Sequence, residues 1–211
     1  MKKVGLALLL ISLAFMGFSR QGGSEMTIIE EWATIKVPPP PELKAVTPDP
    51  RVTALLILDI QKGMCNEERR PRCAATVPRI QRLLTQAREG GALVAYSLTR
   101  SAEPSDIVEE VAPLADEPIV KSSVDKFFQT DLEDILRKKG IETVIVVGTA
   151  AHGAVLHTAT GAAMRGFEVI VPVDGMSASD PYAEQYTAWH LVNAPGTRRR
   201  TTLTKIEMIK F

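Results

Sequence analysis

The chain has 211 residues, 45% of them apolar, which is enough for one domain with a sizeable hydrophobic core. Its 25 basic and 25 acidic side chains give a formal net charge of zero. No overall basic field favours nucleic acid as a partner, and the run of three arginines at 198–200 is too short to suggest otherwise.

The first 23 residues have the pattern of a secretory signal peptide. Lys2 and Lys3 precede an apolar run at 4–18, and a small, polar stretch follows at 19–23. The apolar run is short for a transmembrane span, although an uncleaved N-terminal anchor is the alternative interpretation. We therefore predict an exported protein, periplasmic or secreted, whose contact with a membrane is confined to an uncleaved N-terminus.

Residues 24–50 are predicted to form a proline-rich N-terminal arm, and residues 51–211 the folded domain. Four consecutive prolines at 38–41 exclude both a helix and a central strand there, because proline lacks the backbone N–H and has a fixed φ angle.

Strands and helices alternate in the predicted domain. Apolar runs predict strands at 54–58, 92–97, 118–120, 143–147 and 168–173. Helices are predicted from 77 to the glycines at 90–91, and at 131–139, 153–165 and 181–192, with a short strand or helix after 201. This alternation predicts an α/β fold, a three-layer α/β/α sandwich around a central, mostly parallel sheet.

The two cysteines of the chain, Cys65 and Cys73, follow the first predicted strand and are separated by a short polar segment. In an oxidising compartment this spacing favours a local disulfide that holds the loop, and two free thiols are the alternative.

Polar groups follow three of the predicted strands. Asp59 follows the first, Lys121 the third, and a small-residue turn at 148–154 the fourth. Ligands of parallel sheets bind at the carboxyl edge, where these groups meet. The sequence therefore predicts one site that combines a carboxylate, an ammonium group and backbone N–H groups at the start of a helix.

Over about residues 52–195 these motifs resemble, in order, those of the isochorismatase-like cysteine hydrolases, a superfamily that includes nicotinamidases and carbamoyl hydrolases. Leu58-Asp59-Ile60-Gln61 is similar to the opening motif. Lys121, the aromatic Phe127 and Thr130-Asp131-Leu132 resemble the second motif, and residues 148–159 resemble the third.

The resemblance implies a general base at Asp59, a lysine partner at Lys121, and a cysteine nucleophile immediately before Val155. That last position is occupied by Ala154, whose methyl group cannot act as a nucleophile. The binding residues that accompany this assignment are Gln61, Phe127, His152 and Gly153.

Our first functional hypothesis is an exported, isochorismatase-like protein that acts on or binds a small amide or carbonyl compound. If it is active, it is a hydrolase of a C–N bond or a vinyl ether and uses water instead of a thiol. The alternatives are a non-catalytic ligand-binding or homo-oligomeric interaction protein on the same fold, and an active hydrolase with Cys65 as a displaced nucleophile.

We predict neither a metal nor a cofactor. The segment after the second strand, 97–101, contains no histidine, and the three histidines of the chain are scattered. No phosphate-binding loop or dinucleotide fingerprint is present.

Overall fold

The computed structural model describes residues 27–211, which fall into two compact units divided between Val37 and Pro38. The described part of the first unit contains the four-residue helix α1 (Ile28–Glu31), which begins with a capping box between Thr27 and Glu30. A 3-10 turn follows at Trp32–Thr34. The predicted signal peptide at 1–23 lies outside the described residues.

The second unit is built on a sheet of seven parallel strands, with β3-β2-β1-β4-β5-β7 in spatial order and β6 paired to the end of β4. Every side chain of β1 is buried, as parallel strands require when helices cover both faces of the sheet. The strands are β1 (Thr53–Leu58), β2 (Leu93–Leu98), β3 (Ile119–Lys121), β4 (Thr143–Thr149), β5 (Glu168–Pro172), β6 (Met176–Ser177) and β7 (Thr201–Thr204).

Helices cover both faces of this sheet. They are α2 (Pro71–Ala74), α3 (Val77–Gly90), α4 (Leu132–Lys138), α5 (Leu156–Met164) and α6 (Pro181–Asn193). The apolar stripe of α3 packs with Leu55 and Ile57 on one face, whereas α4, α5 and α6 pack with Leu56 and Val146 on the other. The structure confirms the predicted α/β sandwich.

The predicted strands and the four long helices are all present, and the chain after 201 forms β7 followed by a 3-10 turn at Ile206–Met208. The sequence did not predict α2 and β6. With four and two residues, these elements are too short to show a hydrophobic period.

Residues 38–50 of the predicted arm belong to the second compact unit. The Lys44 N–H donates to the Leu203 carbonyl at 2.9 Å, and the Val46 N–H donates to that of Met208 at 3.0 Å. The compact unit thus begins at Pro38, earlier than residue 51, where the sequence predicted the folded domain to begin.

Across residues 27–211, the helices are all too short or too polar to span a bilayer.

Gly148 lets β4 approach β1 at the carboxyl edge of the sheet. Its φ angle is 129°, and a Cβ atom there would lie 2.1 Å from the carbonyl oxygen of Leu58. Since this contact is with backbone, no side-chain movement can relieve it. The residue therefore fixes how the ends of β1 and β4 meet.

We expect Gly148→Ala to lower the free energy of unfolding by about 3 kcal/mol or more, because it adds a backbone clash to an unfavourable φ angle. Gly140→Ala is the matched control. Gly140 also has a positive φ of 69°, but a Cβ atom there would have no neighbour within 4 Å, so only the ~1–2 kcal/mol cost of the left-handed backbone remains. Urea denaturation measures the free energy of unfolding of both variants. Equal losses would show that the backbone clash at Gly148 has no effect.

Candidate active site

An ion pair between Asp59 and Lys126 lies at the carboxyl edge of the sheet. Lys126 Nζ is 2.7 Å from Asp59 Oδ2, and Ser97 Oγ donates to Asp59 Oδ1 at 2.9 Å. The Lys126 side chain is completely buried, and Asp59 is 5% exposed. Lys126 Nζ also donates to the Ser123 carbonyl at 2.6 Å, so both charges have several polar partners.

The loop between β3 and α4 holds Lys126 in this position. The Lys126 N–H donates to Thr158 Oγ1 of α5 at 3.2 Å. Ser122 Oγ lies 2.9 Å from the Asp125 carbonyl oxygen and 3.0 Å from that of Phe128, which closes the loop on itself. The inward direction of the lysine is therefore set by the backbone of the loop and by one contact with α5.

The predicted pairing of Asp59 with Lys121 is wrong. Lys121 ends β3, as the sequence indicated, but its Nζ forms a surface ion pair with Glu103 Oε1 at 2.9 Å. Lys126, five residues further on, takes the place beside Asp59. The sequence analysis assigned the motif lysine to Lys121, which directly follows the third predicted strand.

One sequence signal pointed to Lys126. It directly precedes Phe127, the aromatic residue of the motif, in a segment with no helical or strand period. The loop geometry that turns Lys126 inward involves the nearby Ser122 and also Thr158, which is distant in sequence, so spacing alone does not show it.

Burial raises the pKa of the Asp59 carboxyl above its ordinary value, while the Lys126 charge and the hydrogen bonds from Lys126 and Ser97 oppose this shift. The carboxylate is thus a stronger base than a solvated aspartate, and a hydrogen-bonded cation stabilises its charged form. This combination suits a group that accepts a proton from a bound molecule.

Gln61 lies two residues after Asp59 and is 5% exposed. Its Oε1 accepts a hydrogen bond from Thr99 Oγ1 at 3.2 Å, whereas its buried Nε2 has no partner among the described residues. A buried amide donor without a partner is costly. The binding role of Gln61 stays a prediction.

The turn after β4 leads into α5 through one π-helical turn, Ala151–Val155. The Thr149–Ala150 peptide bond is cis. Ala154 is 4% exposed in this turn and belongs to the same buried cluster as Leu58 and Phe127. Leu58, the residue before Asp59, pairs in register with Gly148, where the turn to Ala154 begins. The turn and the ion pair therefore lie at the same edge of the sheet.

Two predicted binding residues have structural roles instead. The Gly153 N–H donates to the Ala150 carbonyl at 2.9 Å, so it is not available to a ligand oxygen. Phe127 is a core residue: it is 5% exposed, and its ring stacks on Phe167 at a centroid distance of 6.1 Å. His152 is exposed within the π-helical turn, and its binding role stays a prediction.

Cys65 and Cys73 are joined by a disulfide. Since a nucleophile must be a thiolate, this bond removes Cys65 from the candidates for catalysis. Within residues 27–211, no three His, Cys, Asp or Glu side chains group closely enough to hold a metal ion.

A model of the isochorismatase domain matches residues 53–202. This match covers most of the chain. It includes Asp59, which follows β1, and the turn after β4 that contains Ala154. The chain belongs to the isochorismatase family.

The sequence is 31% identical over 117 residues to the secreted isochorismatase effector Isc1 of Verticillium dahliae, a match over 50% of this chain and 62% of the effector, just under two thirds of its length. Maleamate amidohydrolase of Pseudomonas putida is 29% identical over 162 residues, which cover 63% of this chain and 76% of that enzyme.

The fold is also similar to that of solved structures. An isochorismatase family protein from Desulfovibrio vulgaris superposes with a TM-score of 0.67 at 24% identity, over 74% of this chain and 95% of that one. At this identity the likeness supports the fold.

We expect Asp59→Asn and Lys126→Met each to lower the free energy of unfolding by about 3–5 kcal/mol, because each leaves the other group buried without its partner. The double substitution should cost less than the sum of the two, since it removes both charges. Urea denaturation of the four proteins in the cycle measures this coupling.

Lys121→Met is the matched control for this cycle. It breaks an exposed ion pair with Glu103, so its effect should stay below about 1 kcal/mol. A larger loss for Lys121→Met than for Lys126→Met would contradict the assignment of the buried lysine.

Proposed function

We propose that this chain is an exported isochorismatase-family protein that binds a small amide or carbonyl compound at the Asp59–Lys126 pair. The observation that carries the proposal is the ion pair itself, which is buried and hydrogen-bonded beside the turn that contains Ala154. The family relationship adds weight, because the relative from Pseudomonas putida is named as an amidohydrolase.

Stability alone explains this ion pair poorly. Burying two opposite charges usually gives no more stability than a well-packed apolar pair of similar volume, because both charges lose their hydration. The pair does, however, provide a proton acceptor and a fixed positive charge close to a bound carbonyl group. Ligand chemistry is therefore the better reason for its presence.

Ala154 limits what this site does with a ligand. A thioester or other covalent intermediate requires a nucleophile before Val155, and alanine supplies none. Asp59 remains as a base for a water molecule, with Lys126 to stabilise negative charge. Any hydrolysis by this chain would thus be a direct attack by water and slower than covalent catalysis.

Three observations support export. The N-terminal residues have the pattern of a signal peptide. The disulfide between Cys65 and Cys73 is of a kind that persists in oxidising compartments. The relative from Verticillium dahliae is named as a secreted effector.

An interaction protein on the same fold is the second candidate. The cleft between α5 and α6 is lined by Met164, Tyr182 and Tyr186, whose side chains are 73%, 66% and 39% exposed. Exposed apolar side chains in one patch are typical of surfaces that contact another protein. A second copy of the chain is the partner that the sequence left open.

The first test is ligand binding by thermal shift, with maleamate and nicotinamide as probes. A specific ligand raises Tm by mass action, so we expect at least one amide to stabilise the wild-type protein and the Lys121→Met control. The Asp59→Asn/Lys126→Met double variant should show no such shift. If no probe stabilises the wild-type protein, or if the double variant responds equally, the interaction protein becomes the better interpretation.

The second test introduces the absent thiol with Ala154→Cys. The native cysteines are in a disulfide, so without reductant only the new thiol reacts with iodoacetamide. We expect Ala154→Cys to be alkylated about tenfold faster than the double variant Ala154→Cys with Lys126→Met, because the Lys126 cation stabilises the thiolate. The further substitution Lys121→Met should leave the rate unchanged.

Labelling rates are measured by mass spectrometry of the intact protein over time. Equal rates with and without the Lys126 charge would show that the ion pair does not act on position 154. The amidase activity of Ala154→Cys, followed as ammonia release from the same probes, shows whether the remaining groups support covalent catalysis.

A further inference from the structure

The outer side of α6 carries a stripe of aromatic side chains. Tyr182, Tyr186 and Trp189 are four and three residues apart, a spacing that places them on one side of a helix. They are between 39% and 66% exposed, whereas Leu191 on the inner side of α6 is buried. On the opposite face of the sheet, the Val, Ile and Leu side chains of α3 are all buried. The outer side of α6 is therefore unusually apolar.

The cleft between α5 and α6 adjoins this stripe. Its volume is about 790 Å³, and its lining includes Tyr182, Tyr186 and the exposed Met164 of α5. A ridge and a groove thus lie side by side, and we call the two together the α5–α6 face. A two-fold contact between identical chains requires a surface that is complementary to itself, because one patch contributes both sides. The ridge of one copy and the cleft of another meet this condition.

The size and the composition of the α5–α6 face also suit a second copy. With ~150–250 Å² per aromatic side chain, the exposed parts of the three aromatic residues amount to roughly 300 Å² per copy. A specific interface buries about 800 Å² per partner and is most apolar at its centre, which the stripe is large enough to provide. Glu184 is the one Asp, Glu, Lys or Arg residue between Pro181 and Asn193, and it is bound to Arg72.

All three histidines of the chain line the cleft, although they are far apart in the sequence. His152 lies in the π-helical turn, His157 in α5 and His190 in α6. His157 Nδ1 is 2.8 Å from the Gly153 carbonyl oxygen, so Nδ1 carries a proton and Nε2 is the nitrogen that gains one on acidification. His190 Nδ1 is 3.3 Å from the Tyr186 hydroxyl. Histidine is the side chain that ordinarily changes charge between pH 5 and 8.

Besides the histidines and the two tyrosines, Asp125 of the β3–α4 loop and Arg165 at the end of α5 face the cleft. Arg165 Nε is 2.8 Å from Glu133 Oε2, and Asp125 Oδ1 accepts the Phe127 N–H at 3.0 Å. Asp125 is the one acidic residue among the described residues that line the cleft. Protonated histidines therefore outnumber it, and acidification gives the cleft a net positive charge.

We infer that the α5–α6 face is a two-fold interface between copies of this chain, and that protonation of the histidines in the cleft separates the copies. At acidic pH two clefts of like charge face each other, and contact would remove the imidazolium groups from water. An assembly that binds fewer protons than the free chains is lost as the pH falls. The inference goes beyond the ligand proposed for the Asp59–Lys126 pair and does not depend on it.

Sedimentation equilibrium of the full-length protein tests this inference. We expect a dimer at about pH 7.5, and a dissociation constant that is about tenfold or more higher at about pH 5.5. The double variant His157→Gln with His190→Gln should lose most of this pH dependence, because glutamine gains no charge. Hydrogen exchange of the wild-type protein should show that α5 and α6 become more protected as the protein concentration rises at the higher pH.

Met164→Glu places a carboxylate on the α5–α6 face, and we expect this variant to be monomeric near neutral pH because two such charges meet across the two-fold axis. Leu114→Glu is the matched control. Leu114 is 53% exposed but does not line the cleft, so this variant should dimerise like the wild-type protein. Circular dichroism shows whether both variants are folded.

A wild-type protein that is monomeric at every pH and concentration overturns the inference and leaves the face to a different partner. A dimer that survives Met164→Glu, or a double histidine variant that keeps the full pH dependence, also overturns it. Amide binding by the monomeric Met164→Glu variant tests the Asp59–Lys126 pair separately. Failure of the proposed function is thus distinguishable from failure of this inference.

Discussion

The buried contact between Lys126 and Asp59 is the constraint on which the carboxyl edge of the sheet depends. A charge in this position must be paired, because an isolated ion in the protein interior is strongly unfavourable. The pairing in turn determines the course of the loop between β3 and α4, which brings Lys126 under the sheet edge and fastens it to Thr158. The loop and the end of β1 are thus held together by one interaction, which is also the centre of the proposed ligand site.

Packing and chemistry meet at the end of β4. Gly148 allows this strand to approach β1, and the π-helical turn that follows places Ala154 within the buried cluster beside Leu58. On the other side of the same strand, Thr149 receives Arg70 from the disulfide-closed loop. The end of β4 therefore lies between two groups of polar side chains, the Asp59–Lys126 pair and the Arg70–Thr149 contact.

The fold was predictable because buried parallel strands and amphipathic helices leave strong periodic patterns. The position of Asp59 followed directly from the end of an apolar run, as did the small-residue turn before α5. The lysine was not predictable in the same way. The inward position of Lys126 depends on hydrogen bonds that Ser122 donates and Thr158 accepts. The role of Phe127 was misassigned because an aromatic residue in a motif has the same appearance whether it binds a ligand or fills the core.

Some residues of such a site are needed for folding, whereas the residue at position 154 is not. The close approach at Gly148 and the core contacts of Phe127 contribute to the folded structure, so each remains under a structural constraint whether or not chemistry takes place. A cysteine at position 154 would contribute to catalysis, and an alanine fills the same buried space without an unsatisfied polar group. An alanine at this position is therefore compatible with the surrounding frame. That frame contains the buried ion pair and the unpartnered amide of Gln61, and it is where we propose that a small amide or carbonyl compound binds.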